Sequence, residues 1–352
     1  MPDEYQIAVC PGDGIGVEVT AEVVKVLCAV ERRFGVNLRL TEFDWGGRHW
    51  ERTGTVVPDD FLQILRPFDA IFLGAVGDPG NLPDHITLVP LIRIRQSFDQ
   101  YVCLRPAKLF AGVPTPLEGK SPGSIDMVIV RENSEGEYTD AGGIFKHGKP
   151  HELSLQTAIH TRVGVERILR HAFNLARGRR KHLTMATKSN AMKFSMVMWD
   201  EILADVARQF PDVQSEKCHV DALAMNFVRR PESYDVVVAT NLFGDILSDL
   251  SSVITGSLGL APSANINPER EYPSLFEPVH GSAPDIAGKG IANPLAAIRS
   301  AAMMLDFLGE RDAAVCIEES VASNLSDSRM RTADLGGAAS TAEVGDDIAL
   351  RI

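Results

Sequence analysis

The chain has 352 residues, 45% apolar and 23% charged, with a formal net charge of −12. That size and balance suit a globular chain of two domains or one large one, with ample apolar material for a core. The acidic surplus argues against a nucleic-acid surface and leaves no polybasic patch for a membrane, and no apolar run reaches the ~20 residues that span a bilayer.

Gln6-Ile7-Ala8-Val9-Cys10 reads as a strand, too early in the chain for a signal peptide to precede it, so a cytoplasmic protein is expected. Cys10, Cys28, Cys103, Cys218 and Cys316 lie far apart, mostly in apolar context and without metal spacing, which predicts reduced thiols. The spacing of Val19, Val23, Val26, Leu27 and Val30 predicts a helix from Glu18 to Phe34, stopped by Gly35. Leu38 to Phe43 reads as a strand, Phe61 to Leu65 as a short helix and Ala70 to Gly74 as a buried strand. Met127–Val130, His182–Ala186 and Val236–Thr240 are further buried strands, with amphipathic helices over Thr161–Arg177 and Ser195–Gln209. The basic run Arg177-Gly178-Arg179-Arg180-Lys181 reads as a helix C-terminus and solvated turn. Ala111–Ser124 and Ala141–Pro150 are Gly/Pro-rich, the second a candidate arm or lid. The alternation of strands and helices predicts an α/β chain with a largely parallel sheet.

Gly12-Asp13-Gly14-Ile15-Gly16 follows a strand and opens a helix, which invites a dinucleotide-binding reading. The fit is poor. Val17 stands where the fingerprint wants its third glycine, and no acid ends the next strand at the right place. The loop is still expected to turn backbone N–H groups towards an anion. Asn241-Leu242-Phe243-Gly244-Asp245-Ile246-Leu247-Ser248-Asp249 is more informative. At i and i+4 on a helix, Asp245 and Asp249 share one face. Two readings stand side by side: a helix N-terminus that favours acids, or oxygen ligands for Mg2+ or Mn2+. The stretch from Glu277 to Pro294 is too polar and turn-rich for the core and too long for an idle loop. In it His280 and Asn293 are suited to hold a base and Asp285 to accept two ribose hydroxyls.

Together these residues resemble the β-decarboxylating, metal-dependent 2-hydroxyacid dehydrogenases of the isocitrate/isopropylmalate dehydrogenase family. The likeness runs over essentially the whole chain. It is carried by Pro11-Gly12-Asp13-Gly14-Ile15-Gly16, Leu104-Arg105-Pro106, Arg131-Glu132-Asn133-Ser134-Glu135-Gly136-Glu137-Tyr138, Thr187-Lys188-Ser189-Asn190, the Asp245/Asp249 stretch and the His280–Pro294 loop. Pro83-Asp84-His85-Ile86-Thr87-Leu88, Phe98-Asp99-Gln100-Tyr101 and Val197-Met198-Trp199-Asp200-Glu201 are similar to the tartrate dehydrogenase/decarboxylase and D-malate dehydrogenase branch. The stretch Leu88–Arg95 departs from the isopropylmalate pattern, which carries a glutamate and paired leucines there.

The resemblance implies an isopropylmalate dehydrogenase-like, non-Rossmann α/β fold of two domains with a cleft between them. Residues 1–101 plus 256–352 would form the larger NAD-binding domain and residues 102–255 the smaller substrate, metal and dimerisation domain. It implies Tyr138 and Lys188 as the acid/base pair, with Lys188 buried near the metal. Arg95, Arg105 and Arg131 would bind the substrate carboxylate, Arg93 being the alternative to Arg95. Asp221, Asp245 and Asp249 would hold the metal, Asp221 coming from the neighbouring subunit and from a strand-like segment. His280, Gly281, Ser282, Ala283, Asp285, Ile286 and Asn293 would bind NAD, with Thr332 and Asp334 closing the region. The expected activity is NAD- and Mg2+/Mn2+-dependent oxidation and β-decarboxylation of a (2R)-hydroxy diacid, D-malate or tartrate, by a homodimer that K+ assists. The alternative is 3-isopropylmalate dehydrogenase. A non-catalytic regulatory subunit is disfavoured, because the full Tyr/Lys/Asp/Arg set is present.

Overall fold

The computed structural model of the protein describes residues 4–327 and 329–352. Its strands are β1 (Tyr5–Gly12), β2 (Leu38–Glu42), β3 (Ala70–Ala75), β4 (Val102–Lys108), β5 (Asp126–Glu132), β6 (Gly142–Phe145), β7 (Leu153–Gln156), β8 (His182–Thr187), β9 (Gln214–His219), β10 (Val236–Ala239), β11 (Pro262–Ile266) and β12 (Ser274–Pro278). One 10-stranded sheet runs in the order β2-β1-β3-β12-β11-β4-β5-β10-β8-β9, and β6 and β7 form a separate two-stranded ribbon.

The sheet is parallel at both wings and antiparallel at its centre. β2, β1, β3 and β12 pair parallel on one side, and β5, β10, β8 and β9 on the other. Between them β11 runs antiparallel to both β12 and β4, and β4 antiparallel to β5. The buried apolar runs predict the parallel strands well, because a strand covered on both faces needs no alternation. β3 and β10 are buried at every position. The antiparallel centre was not legible, since Leu104-Arg105-Pro106 interrupts any apolar run. The fold has two α/β domains, and the two wings draw on different stretches of chain: β1, β2, β3 and β12 on one side, β5, β8, β9 and β10 on the other.

Local sequence explains the covering helices. In helix Ile15–Phe34 the valine stripe Val19, Val23, Val26 and Val30 is buried, and Gly35 at φ 70° returns its N–H to the Glu31 carbonyl. Thr161 caps helix Arg162–Arg177 by accepting from the Gly164 N–H. Two expectations need correction, those for His219–Ala222 and for the basic run. The segment His219-Val220-Asp221-Ala222 is not strand: β9 ends at His219 and helix Val220–Arg229 begins, with Asp221 in its first turn where the helix dipole favours an acid. The Gly/Pro-rich stretch Ala141–Pro150, read as an arm or lid, contains β6, which pairs with β7 in a ribbon exposed at every position. The basic run is not simply solvated: Arg179 binds Asp126 and the buried Asp235, both at 2.7 Å, and Arg177 binds Asp212. The five cysteines are free.

Candidate active site

Helix Asn241–Ile254 starts where β10 ends, and its first turns sit against β5. The Thr240 hydroxyl accepts from the Phe243 N–H, and the Glu137 carboxylate accepts from the Leu242 N–H at 3.0 Å. The helix approaches so closely at Gly244 that an added Cβ would stand 2.6 Å from the Arg131 Cβ. These constraints aim Asp245 into a cavity of about 220 Å3 lined by Leu88, Leu91, Arg95, Arg105, Arg131, Tyr138, Asp245, Glu277 and His280, among others, with Asp249 one turn further along the helix.

Asp245 is the hub. Its Oδ1 accepts from Arg105 Nη1 at 3.0 Å and also from Arg131 Nη1, and its Oδ2 accepts from the Tyr138 hydroxyl at 2.8 Å. Burial alone would push its carboxyl up, but Arg131, Arg105 and the tyrosine hydroxyl outweigh burial and hold it below the usual carboxylate range. The same geometry works the other way on Tyr138: burial, the Asp245 charge and the hydrogen bond push its hydroxyl up to about 12. Tyr138 is therefore a protonated donor at neutral pH. Asp249 lies 3.8 Å from Arg105 Nη1 with its side chain 60% exposed. Burial and the Asp245 charge raise its carboxyl, with Arg105 opposing. The i, i+4 acids are thus bridged from one side by a guanidinium.

The three arginines converge, and Arg93 does not join them. Arg93 lies over the Phe61 ring at 5.0 Å, on the opposite side of their helix, while Arg95 is buried with Nη2 donating to Glu277 at 2.7 Å. Arg105 also donates to the Ser248 hydroxyl at 2.7 Å, and Arg131 donates to Asn241 Oδ1 through Nε and Nη2. The Nε atoms of Arg95 and Arg105 are buried without a partner, an unmet demand for an acceptor. Glu277, Asn241 and Ser248 had no assigned role in the sequence. All three lie inside the quoted stretches Asn241–Asp249 and Glu277–Pro294, but only the fold shows what they hold. Asn265 in β11 donates to Glu277 and accepts from Asn133, so a buried polar chain backs Arg95.

Lys188 and Asp221 lie together and apart from this cavity. Lys188 Nζ donates to Asp221 Oδ1 at 2.6 Å, with side-chain exposures of 29% and 67%. Lys188 is not buried within one chain, and neither residue lines the cavity. Among the described residues no group of three or more His, Cys, Asp or Glu side chains is placed to hold a metal ion. Asp245 and Asp249 make half of such a site: two oxygen donors on one helix face, one of them largely open. Two carboxylates suit a hard divalent cation whose remaining positions are filled by water or by oxygens of a bound substrate.

The polar loop after β12 carries the proposed nucleotide contacts. His280 and Gly281 line the arginine cavity, and Pro284, Ala287 and Gly288 line a second cavity of about 380 Å3. His280 Nε2 is buried without a partner, and burial lowers the pKa of the ring, keeping it neutral. Ala283 adopts φ 40°, in the left-handed region. Asp285 and Ile286 follow, Asp285 exposed, and its backbone carbonyl accepts from Lys289 Nζ. Ser282 is buried, its carbonyl accepting from the Ile15 N–H at 2.9 Å. Asn293 donates to Asp334, which also accepts from Thr332 and Ser257. The expectation that the glycine loop turns its N–H groups towards an anion is not met at Ile15 and Gly16. Those of Ile15 and Gly16 are taken by Ser282 and Asp13, and Asp13 accepts from the Gly47 and Gly77 N–H groups. Its glycines serve close approach: a Cβ on Gly14 would stand 2.1 Å from the Ser282 oxygen. Thr87 and His85 also fall outside the arginine cavity.

The family model described as isocitrate/isopropylmalate dehydrogenase matches residues 6–348. The chain is 51% identical to the D-malate dehydrogenase [decarboxylating] of Escherichia coli (strain K12), over 99% of this chain and 98% of that protein. It is 52% identical to a probable tartrate dehydrogenase/decarboxylase of Agrobacterium vitis, over 98% and 97%. Its structure is similar to the crystal structure of isocitrate dehydrogenase from Methylococcus capsulatus, with TM-score 0.89, 38% identity and 99% of each chain covered.

Proposed function

Since the chain belongs to the isocitrate/isopropylmalate dehydrogenase family, we propose that it is an NAD- and divalent-metal-dependent oxidative decarboxylase of a (2R)-hydroxy diacid, D-malate or tartrate. The observation that carries this reading is the convergence of Arg95, Arg105 and Arg131 on a cavity that also holds Asp245 and Tyr138, with two buried guanidinium Nε atoms lacking an acceptor. Guanidinium forks suit a two-point carboxylate contact.

The cation, Mg2+ or Mn2+ held by Asp245 and Asp249, would polarise the C2 hydroxyl and adjoining carboxylate, and NAD would accept the C2 hydride. The residues supply the rest. The arginines hold the carboxylate that leaves as CO2. Lys188 takes the C2 hydroxyl proton. Oxidation makes a ketone β to that carboxylate, so CO2 departs, and Tyr138 delivers a proton to C3 from its hydroxyl. The open Asp285 carboxylate suits two ribose hydroxyls and repels a 2′-phosphate, which favours NAD over NADP. K+ assistance is part of this reading, as are the division 1–101 plus 256–352 against 102–255 and a cytoplasmic site of action.

A homodimer with shared sites completes the arrangement. Asp221, Met225 and Val228 recur at i, i+4 and i+7 on one face of helix Val220–Arg229, and Met225 is 51% exposed. On the neighbouring helix Ile246 is 58% exposed and Val253 49%, beside Asp249 on the wheel. Docking these apolar stripes against a second copy brings one protomer's Asp221, and Lys188 with it, towards its partner's Asp245 and Asp249. The exposed ribbon of β6 and β7, with Ile144, Phe145, Leu153 and Leu155, supplies more apolar surface for the same purpose.

A second reading, 3-isopropylmalate oxidation, is favoured by one feature. The cavity lining also includes the apolar side chains of Val76, Leu88, Leu91 and Val279. The test is NADH formation with Mn2+ and K+ on D-malate, L- and meso-tartrate and 3-isopropylmalate, with and without a chelator. Chelator-sensitive turnover of D-malate or a tartrate is expected. Preference for 3-isopropylmalate would move the substrate assignment, and no turnover of any diacid would refute the reading.

A further inference from the structure

The branch motif around Asp200 has no role in the reaction as described. Asp200 lies on helix Ser195–Ala207, its side chain only 13% exposed. Its carboxylate reaches across to the end of β8, where Lys188 follows Thr187. The buried Thr187 hydroxyl donates to Asp200 Oδ1 at 2.9 Å, and the Ser189 hydroxyl lies near enough to the same carboxylate to help hold its charge. Oδ2 accepts from Lys217 Nζ on β9. The Ser189 N–H also lies 3.3 Å from the Thr187 hydroxyl, and the Lys188 carbonyl accepts from the Ala191 and Met192 N–H groups.

We propose that Asp200 is a positioning residue for Lys188: it grips the residues on both sides of the lysine and engages Lys217, leaving Asp221 to pair with Lys188. The inference rests on the assignment of Lys188 as the base. One carboxylate tying residues i−1 and i+1 of a turn fixes the backbone of residue i, and with it the root of a long, flexible side chain. A lysine has rotamer freedom to lose, so a rigid root decides how often its amine stands at the reacting hydroxyl. Lys217, engaged by Asp200, is not left as a second cation seeking Asp221. Burial pushes the Asp200 carboxyl up, but the bonds from Lys217, Ser189 and Thr187 outweigh burial and hold it low, so the grip is ionised at neutral pH.

The test compares the wild-type protein with Asp200→Ala, Asp200→Asn and Ser189→Ala. In Asp200→Ala, kcat should fall about tenfold or more while KM for NAD and for the diacid stays within about twofold, because binding groups are untouched. The acid limb of the kcat–pH profile should move as well. Asp200→Asn, which keeps an acceptor for Thr187 and Ser189, should recover most of the loss. If Asp200→Ala does not fold like the wild type, Ser189→Ala is read instead, with about a threefold fall expected. A second readout needs no turnover: acetic anhydride labelling of Lys188, followed by mass spectrometry. It should quicken about threefold or more in Asp200→Ala, with Lys193 unchanged as reference. Unaltered kcat, pH limb and Lys188 labelling in a folded variant would overturn the proposal. If the wild type oxidises no diacid, the functional reading fails, and the labelling still decides whether Asp200 positions Lys188.

Discussion

At Asp245, two guanidinium groups and a phenol share one carboxylate, and the site's protonation follows from that. The arginines keep the acid ionised, and the ionised acid keeps Tyr138 a donor. A neighbouring residue behaves in the opposite way. Glu132 follows Arg131 in β5, is 2% exposed, and accepts from the Ser134 N–H, the Ser134 hydroxyl and the Glu135 N–H at the turn leading to Tyr138. Burial pushes its carboxyl up from 4.5 to about 7, against the pull of those bonds. A raised folded-state pKa contributes stability that is complete below the unfolded value and is lost as pH rises through the folded one. The loss across that window is on the order of 3 kcal/mol. Urea unfolding should therefore show the wild type losing more stability between pH 4.5 and 7.5 than Glu132→Gln. Parallel curves for the two proteins would contradict the assignment.

At the scale of elements, helix Asn241–Ile254 carries the site, and its first turn is held from outside. Thr240 caps it, Glu137 accepts from the Leu242 N–H, and Gly244 lets it touch β5. Replacing an N-cap threonine with an apolar residue of the same shape costs about 1 kcal/mol. Thr240→Val should lose that much in chemical denaturation. Because the cap sets the turn that ends at Asp245, calorimetric Mn2+ affinity should weaken about tenfold, the same ~1.4 kcal/mol range expressed as binding. Unchanged metal affinity alongside the stability loss would separate the cap from the site. The β4–β11 pairing is the other decisive element: its strands carry Arg105 and Asn265 and join the two parallel wings, so Arg105 lies where the wings meet.

At the scale of the whole molecule, each chain holds the residues of the proposed site in two separated groups, which the proposed homodimer would bring together as halves. Tyr138, the arginines, Asp245 and Asp249 form one half, and Lys188 with Asp221 the other. If two protomers exchange halves, Lys188→Met and Tyr138→Phe damage different parts of each composite site. Each homodimer has no intact site, while a heterodimer has one site with both lesions and one with neither. Random mixing after reversible dissociation should restore about a quarter of wild-type turnover, half the dimers being hybrid with one good site of two. Sedimentation would verify the dimer, and a mixture that stays inactive while hybrids form would refute shared sites.

The sequence by itself determined the parts whose signals are local. Buried runs such as Val236–Thr240 announce parallel strands, the valine spacing and Gly35 delimit the first helix, and Asp245 and Asp249 share a face because helical periodicity requires it. The failed glycine fingerprint was legible for the same reason, since Val17 can be counted. Tertiary structure alone decided which partners these groups meet. Arg95 faces Glu277 while Arg93 covers Phe61, Arg105 stands between the two aspartates, and Asp13 ties loops together. It also placed Lys188 beside Asp221 and away from Asp245. Such choices depend on strands and helices distant in sequence meeting in one sheet order. Periodicity records which face a side chain occupies, and only the packed fold brings another face opposite it.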